Sequence, residues 1–346
     1  MSLKKDLSKY KPRKEQQEAL EFIDGQFNAD PLKKFFLLNL PVGTGKSHLA
    51  LMISEWYRKN VNRTARVDII TNSKILQDQY ADTYKSISDL KGKDNYECEQ
   101  YSCSCAQGAE FNKLNKTTCD SCPYSNSRES YMAGGISLTN FYLYILYAMY
   151  NPKMMENRGA RVLVVDEAHD FDDVMSDFVS IRMTEGIIKK FMFSDEKNLI
   201  KKLKAVRNIE QYVSYLRILN SEILSTVESM EKGIGSKSRN VREDKRDLKL
   251  SKLFKSKNSD VKVMQLVNDL RQYQVKIELF LKEFKENPNN WVLESRYNEK
   301  LRQKELSLEP IWAYDYLDKY VFSNYDMVFL MSGTILDKNL FCQLNG

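Results

Sequence analysis

Residues 35–47 constrain this chain more than any other stretch. An apolar run, Phe35-Phe36-Leu37-Leu38-Asn39-Leu40, leads into Pro41-Val42-Gly43-Thr44-Gly45-Lys46-Ser47, and helical spacing resumes over 49–57. Strand, glycine-rich loop and helix form the frame in which backbone N–H groups converge on phosphate at a helix N-terminus. In that frame Pro41, Val42, Gly43, Thr44 and Gly45 line the cradle. Lys46 reaches the β- and γ-phosphates of a nucleotide, and Ser47 offers its hydroxyl to Mg²⁺. A strand feeding such a loop belongs to a parallel sheet. Three further short apolar runs, at 67–71, 161–165 and 327–331, supply its partners, with helical patterns between them. The expected fold class is α/β, and the expected ligands are ATP and Mg²⁺.

A second motif completes the first. Val164-Val165-Asp166-Glu167-Ala168-His169 puts two carboxylates at the C-terminal end of a strand, where open parallel sheets bind ligands. Asp166 is the expected Mg²⁺ partner, and Glu167 the group that polarises the attacking water. A carboxylate pair could merely cap a strand. Its occurrence with the phosphate loop makes the chemical reading the better one.

Composition limits the other chemistries. The 346 residues include only two histidines, His48 and His169, which removes His-rich zinc sites and most Ser-His or Cys-His nucleophile schemes. Net charge is +6, from 53 basic and 47 acidic residues, so the chain is no polycation, although one basic face remains possible. No apolar run approaches the roughly 20 residues of a membrane span, and no apolar stretch follows the N-terminal lysines, so an intracellular protein is expected, cytoplasmic or, in a eukaryote, nuclear. Five of the six cysteines (Cys98, Cys103, Cys105, Cys119 and Cys122) are crowded together, which reads as a metal site rather than a disulfide framework. Four thiolates suit tetrahedral zinc or a [4Fe–4S] cluster, and spacing alone does not choose. Cys342 lies in an apolar context and reads as core.

Between 171 and 300 there are one proline and three glycines, abundant Lys and Glu, and apolar residues at helical spacing (Ile187, Ile188, Phe191; Val263, Leu266, Val267, Leu270), which predict a mainly helical insertion. Within it, residues 232–257 carry ten basic and three acidic side chains. A solvated linker is the plainer reading, and a basic loop touching nucleic acid the sharper one. The aromatic run Phe141, Tyr142, Tyr144, Tyr147 and Tyr150 has helical spacing and reads as core, with base stacking as the rival.

Phosphate loop and Asp-Glu-Ala-His together resemble the superfamily 2 helicases, and the intervening sequence narrows the resemblance. Arg13-Lys14-Glu15-Gln16-Gln17 is similar to the segment whose glutamine reads adenine, which implies Gln16 as the adenine contact with Arg13 beside it. Thr71-Asn72-Ser73 resembles the next motif, implying DNA-backbone contacts at Thr71 and Asn72. Lys91 to Cys98 and Cys119-Asp120-Ser121-Cys122-Pro123-Tyr124 fall where the iron–sulfur helicases of the XPD and DinG group carry a cluster domain. Ser332-Gly333-Thr334 is similar to the motif that couples the ATP state to DNA, and His169 would connect the ATP site to it. The resemblance chooses iron–sulfur over zinc. It implies Cys98, Cys105, Cys119 and Cys122 as ligands, Cys105 being preferred to Cys103.

From this resemblance the expected organisation is a RecA-like motor domain in three parts, 1–96, 126–172 and 301–346, interrupted by a cluster domain at 97–125 and a helical arch at 173–300. The group moves 5′ to 3′ on single-stranded DNA, so single-stranded or forked DNA is the implied partner, contacted also near Lys91 and Lys93, by a monomer with no membrane association. The sequence stops at Gly346, where that group continues into a second motor domain. Arginines from such a domain contribute on the order of 10³–10⁵ in rate. The expectation is a polypeptide that binds nucleotide and needs a second motor domain, supplied in trans or lost by truncation, to translocate. The rivals are a non-catalytic nucleic-acid-binding module with an ATP half-site, and a zinc-bearing ATPase that remodels protein.

Overall fold

A computed structural model describes residues 11–191, 193, 195–233, 259–299, 303–335, 339 and 341. Residues 234–257 of the basic stretch 232–257, and Cys342, lie outside the described residues. In chain order the elements are α1 (Lys14–Ala29), β1 (Phe35–Asn39), α2 (Lys46–Asn60), β2 (Val67–Thr71), α3 (Lys74–Thr83), β3 (Ser88–Asp89), β4 (Glu97–Cys98), β5 (Cys103–Ser104), α4 (Cys105–Asn115), α5 (Pro123–Ala133), β6 (Ile136–Asn140), α6 (Phe141–Tyr150), α7 (Pro152–Arg158) and β7 (Val162–Asp166). Then come α8 (Phe171–Val179), β8 (Ile181–Thr184), α9 (Glu185–Lys190), α10 (Glu196–Ala205), α11 (Ile209–Gly233), α12 (Ser259–Glu286), β9 (Trp291–Asn298), β10 (Gln303–Pro310), α13 (Tyr314–Tyr320) and β11 (Met327–Ser332).

Contacts divide the chain into two units. One comprises the described residues of 1–105, 120–178 and 312–346, the other those of 106–119 and 179–311. In the first unit six strands form one parallel sheet in the order β1-β11-β7-β2-β6-β3. The four apolar runs read from the sequence are β1, β2, β7 and β11. The last three are buried at every position, as strands covered on both faces must be. β6 joins them although Ser137 and Thr139 interrupt its apolar run. Both hydroxyls are satisfied internally, donating to the carbonyls of Tyr131 and Leu90 at 2.9 Å each. Helix starts follow local chemistry: Ser73 caps α3 through the Leu76 N–H at 3.2 Å, and Asn140 caps α6 through that of Leu143 at 3.0 Å. The α6 aromatics divide as a helix lying on a sheet divides them, with Phe141 and Tyr144 buried and Tyr142 exposed.

One charged cluster sits inside this unit. Arg158, wholly buried at the end of α7, places Nε 3.0 Å from Asp68 Oδ1 on β2. Its guanidinium also donates to the carbonyls of Val67, Met132 and Gly134, and lies 5.2 Å from the Tyr131 ring centroid. Tyr325 donates to the other Asp68 oxygen at 2.7 Å, and Tyr144 donates to Tyr325 at 2.8 Å. Burial and the nearby Asp68 charge push the Tyr325 hydroxyl well above the ordinary tyrosine range, so it stays a donor.

In the second unit α11 and α12 pack together through apolar residues three and four apart (Leu216, Leu219, Ile223 and Val227; Val263, Leu266, Val267 and Leu270). The helices anticipated here are accompanied by a three-stranded antiparallel sheet, β8-β10-β9. Its core face pairs Leu306 with Met183, and Leu308 with Ile181 and Leu293.

The Arg158–Asp68 pair generates a stability prediction. Asp68→Ala strands a buried guanidinium and is expected to cost about 3–5 kcal/mol, read as a lowered urea midpoint at unchanged m-value. A loss under about 1 kcal/mol would show that the pair does not hold β2 to α7.

Candidate active site

The phosphate loop is shaped by two glycines with positive φ, Gly43 at +89° and Gly45 at +81°. Gly45 immediately precedes α2, and a Cβ there would sit 2.6 Å from Gln16 Nε2. The loop is braced from α1. Gln16 Nε2 donates to the carbonyls of Thr44 and Gly45 at 3.0 and 3.1 Å, its Oε1 accepts from the Arg13 N–H at 2.9 Å, and the Arg13 guanidinium donates to the Gly43 carbonyl. The two residues expected at adenine thus hold the loop backbone in this structure. Gln16 is 3% exposed. Pro41 and Val42 enter the loop as exposed positions, and Thr44 closes its own turn, donating from Oγ1 to the Pro41 carbonyl at 2.9 Å.

Lys46 is nearly buried, with Nζ 3.2 Å from Glu167 Oε1. Ser47 Oγ lies 3.5 Å from Asp166 Oδ2. Asp166 ends β7 almost fully buried; its Oδ1 accepts the Glu167 N–H at 3.1 Å and its Oδ2 the Tyr80 hydroxyl at 2.7 Å. Burial raises the Asp166 carboxyl above the ordinary range against the opposing pull of the Tyr80 hydrogen bond, and the Glu167 charge adds to the rise. Glu167 itself adopts φ +59°, a left-handed conformation costly for a residue with a Cβ and typical of functional turns. That turn aims its carboxylate at Lys46 on one side and at His169 on the other, where Oε2 is 3.5 Å from Nδ1.

His169 Nδ1 is also 2.9 Å from Ser332 Oγ, and Ser332 Oγ accepts the Thr334 N–H at 3.1 Å. Ser332 is anchored by its carbonyl, which accepts the Leu40 N–H at 2.8 Å. Gly333 passes so close that a Cβ would meet the Leu40 carbonyl at 3.0 Å and Lys46 Nζ at 3.3 Å. The structure therefore brings Lys46, Ser47, Asp166, Glu167, His169 and Ser332 together at one sheet edge.

Other anticipated residues lie elsewhere. Thr71 is fully buried at the end of β2, its hydroxyl without a partner among the described residues, whereas Asn72 is exposed and donates to Asp170 Oδ2 at 2.7 Å. Lys91 is engaged by Asp78 and by Asp89, the latter at 3.5 Å, and Lys93 sits 5.3 Å over the Tyr124 ring. Sequence reasoning did not find Tyr80, which contacts Asp166, or Tyr84, whose hydroxyl is 2.9 Å from His48 Nδ1. Two tyrosines four apart, one on α3 and one just past its end, carry no signal beyond core packing.

The cysteines fit a cluster in chemistry and only partly in geometry. Cys98 and Cys103 are directly paired across the β4–β5 hairpin. Cys105 is buried and hydrogen-bonded to Cys122, with Cys98 close enough to interact electrostatically. Burial pushes the Cys105 thiol up. At Cys122 burial is outweighed by hydrogen bonds from Ser125, and the thiol is lowered. Cys119 falls in the other unit, where Asn112 Nδ2 is 2.9 Å from its sulfur. Among the described residues none of the five forms a disulfide, and no group of three or more His, Cys, Asp or Glu side chains converges as a metal site.

A parallel sheet carrying a phosphate loop on one strand and an acid pair on another is the arrangement of the P-loop nucleotide-binding domains, a class that takes a nucleoside triphosphate with Mg²⁺. The chain belongs to the family described as type III restriction enzyme, res subunit, which matches residues 9–220. No curated protein matches it significantly. Among solved structures, an XPD helicase superposes with TM-score 0.51 at 16% identity, covering 97% of this chain and 61% of that one. A truncated XPD gives 0.45 at 14% identity over 96% and 97%, and an S. tokodaii XPD gives 0.44 at 13% over 93% and 57%. The chain thus spans about three fifths of the first of these, and the likeness is one of fold. Among the described residues no helix is long and apolar enough to cross a membrane.

Gly45→Ala combines a left-handed backbone with a collision against Gln16. The left-handed penalty alone is about 1–2 kcal/mol, so Mg²⁺–ATP binding, followed by titration with a fluorescent analogue, is expected to weaken about tenfold or more. Unchanged affinity would show that the loop is not braced as described.

Proposed function

We propose that this chain is the nucleotide-gripping part of an ATP-dependent DNA helicase that moves 5′ to 3′ on single-stranded DNA and draws the rest of its ATP site from a second motor domain. The observation that carries the reading is the convergence of Lys46, Ser47, Asp166 and Glu167 on one sheet edge, with His169 joining Glu167 to Ser332. A phosphate-binding protein without hydrolysis would need the loop and the lysine, but not a second carboxylate held beside them. Bound Mg²⁺ supplies charge neutralisation on the phosphates, and Ser47 and Asp166 are the residues that would hold it. Phosphate competes with Glu167 for Lys46. Once released, the Glu167 carboxylate can orient and polarise water, while His169 passes its position to Ser332-Gly333-Thr334.

The DNA part of the reading rests on the exposed Asn72 beside this edge and on the sequence resemblance. The [4Fe–4S] cluster is part of the same proposal. Cys98, Cys105, Cys119 and Cys122 would hold it, and the Cys105–Cys122 contact favours Cys105 over Cys103. A cluster there ties the segment together, since metal binding is also folding energy.

Lys46→Ala is expected to abolish nucleotide binding, while Glu167→Gln keeps binding and loses hydrolysis by about 10² or more. With a second motor domain present, duplexes carrying a 5′ single-stranded tail should be unwound and those with only a 3′ tail left intact; the reverse preference overturns the direction. Anaerobically purified protein should hold about four irons, lost in Cys122→Ser and kept in Cys103→Ser. Stoichiometric zinc instead of iron would favour the zinc-bearing ATPase.

A further inference from the structure

We propose that Tyr80 is a positioning residue for Asp166, fixing the carboxylate in the orientation that receives Mg²⁺; this rests on the ATPase reading above. Tyr80 projects from α3 and is fully buried, with its hydroxyl donating to Asp166 Oδ2 at 2.7 Å. The other oxygen, Oδ1, accepts the Glu167 N–H at 3.1 Å. Each oxygen of a nearly buried carboxylate therefore has one near donor, and two donors on two oxygens set the plane of the group.

Ser47 is the only other side chain seen at Oδ2 among the described residues, at 3.5 Å, and its hydroxyl is the one expected to turn toward Mg²⁺. When it turns, Tyr80 remains as the side chain holding Oδ2. A phenol suits this task. It has two torsions, and it is walled by the Tyr84 ring at 6.4 Å. Partners that orient a metal ligand typically matter 10–100-fold in metal affinity or activity. The same helix is tied to the acid segment a second time, because Asn72, just before its Ser73 cap, donates to Asp170 Oδ2 at 2.7 Å. Tyr80 thus stands on a helix pinned to residues 166–170 at both its start and its middle.

The test is Tyr80→Phe, which keeps the ring and removes the donor. Fluorescent-nucleotide binding is titrated with Mg²⁺, and again in the presence of a chelator. The half-saturating Mg²⁺ concentration is expected to rise about tenfold, with chelator-state affinity within about twofold of wild type. In an Asp166→Asn background the same substitution should add nothing, because its effect runs through that carboxylate. An unshifted Mg²⁺ curve beside a wild type that binds normally overturns the role of Tyr80 alone. Absence of Mg²⁺-dependent binding in the wild type overturns the ATPase reading and this inference with it. Should Tyr80→Phe fail to fold, 3-fluorotyrosine placed at position 80 carries the test: its ¹⁹F resonance should move with Mg²⁺–nucleotide and not with nucleotide in chelator, and an unmoved signal overturns the proposal.

Discussion

The parallel register of four strands is the constraint on which the chemistry depends. β1, β11, β7 and β2 pair so that Asn39 lies beside Ser332, Met331 beside Asp166, and Asp166 beside Thr71. Strands that run the same way and stop together deliver their following residues to one edge. The phosphate loop, Ser332-Gly333-Thr334, the acid pair and the 71–73 turn are those residues. A one-residue slip of β11 against β1 would move the Ser332 carbonyl off the Leu40 N–H and carry Gly333 away from the narrow gap beside Lys46. Because β2, β7 and β11 are buried on both faces, burial alone does not choose between neighbouring registers, and these close contacts at the strand ends do.

The other end of the sheet is held by different means. Near the start of β2, Asp68 draws in Arg158, Tyr325 and, through Tyr325, Tyr144. A buried ion pair is a weak source of net stability but a demanding one, because every lone pair and proton must find its place. That demand fixes α6, α7 and the approach to β11 relative to one strand. Apolar packing orders the middle of the sheet, and this polar network specifies its far end, leaving the ligand edge free to carry unfavourable features. The left-handed backbone of Glu167 and the buried Asp166 carboxylate are two of them.

Legibility in the sequence tracked how local each determinant is. The phosphate loop and β2 could be read almost residue for residue, because glycine placement and apolar runs are local rules. β6 was missed since its Ser137 and Thr139 look polar, and their burial is legible only once the carbonyls of Tyr131 and Leu90 are in place. The strands β8 and β9 were hidden by the Lys and Glu content that made residues 171–300 look helical, and β10 lies just beyond that segment, in the stretch read as part of the motor domain. At the site, the residue types in the motifs came through, but their partners did not. Gln16 was legible as a motif residue and illegible as a brace of the loop, since its amide meets carbonyls 28 and 29 positions away. Tyr80 left no trace at all, its acceptor being 86 residues on.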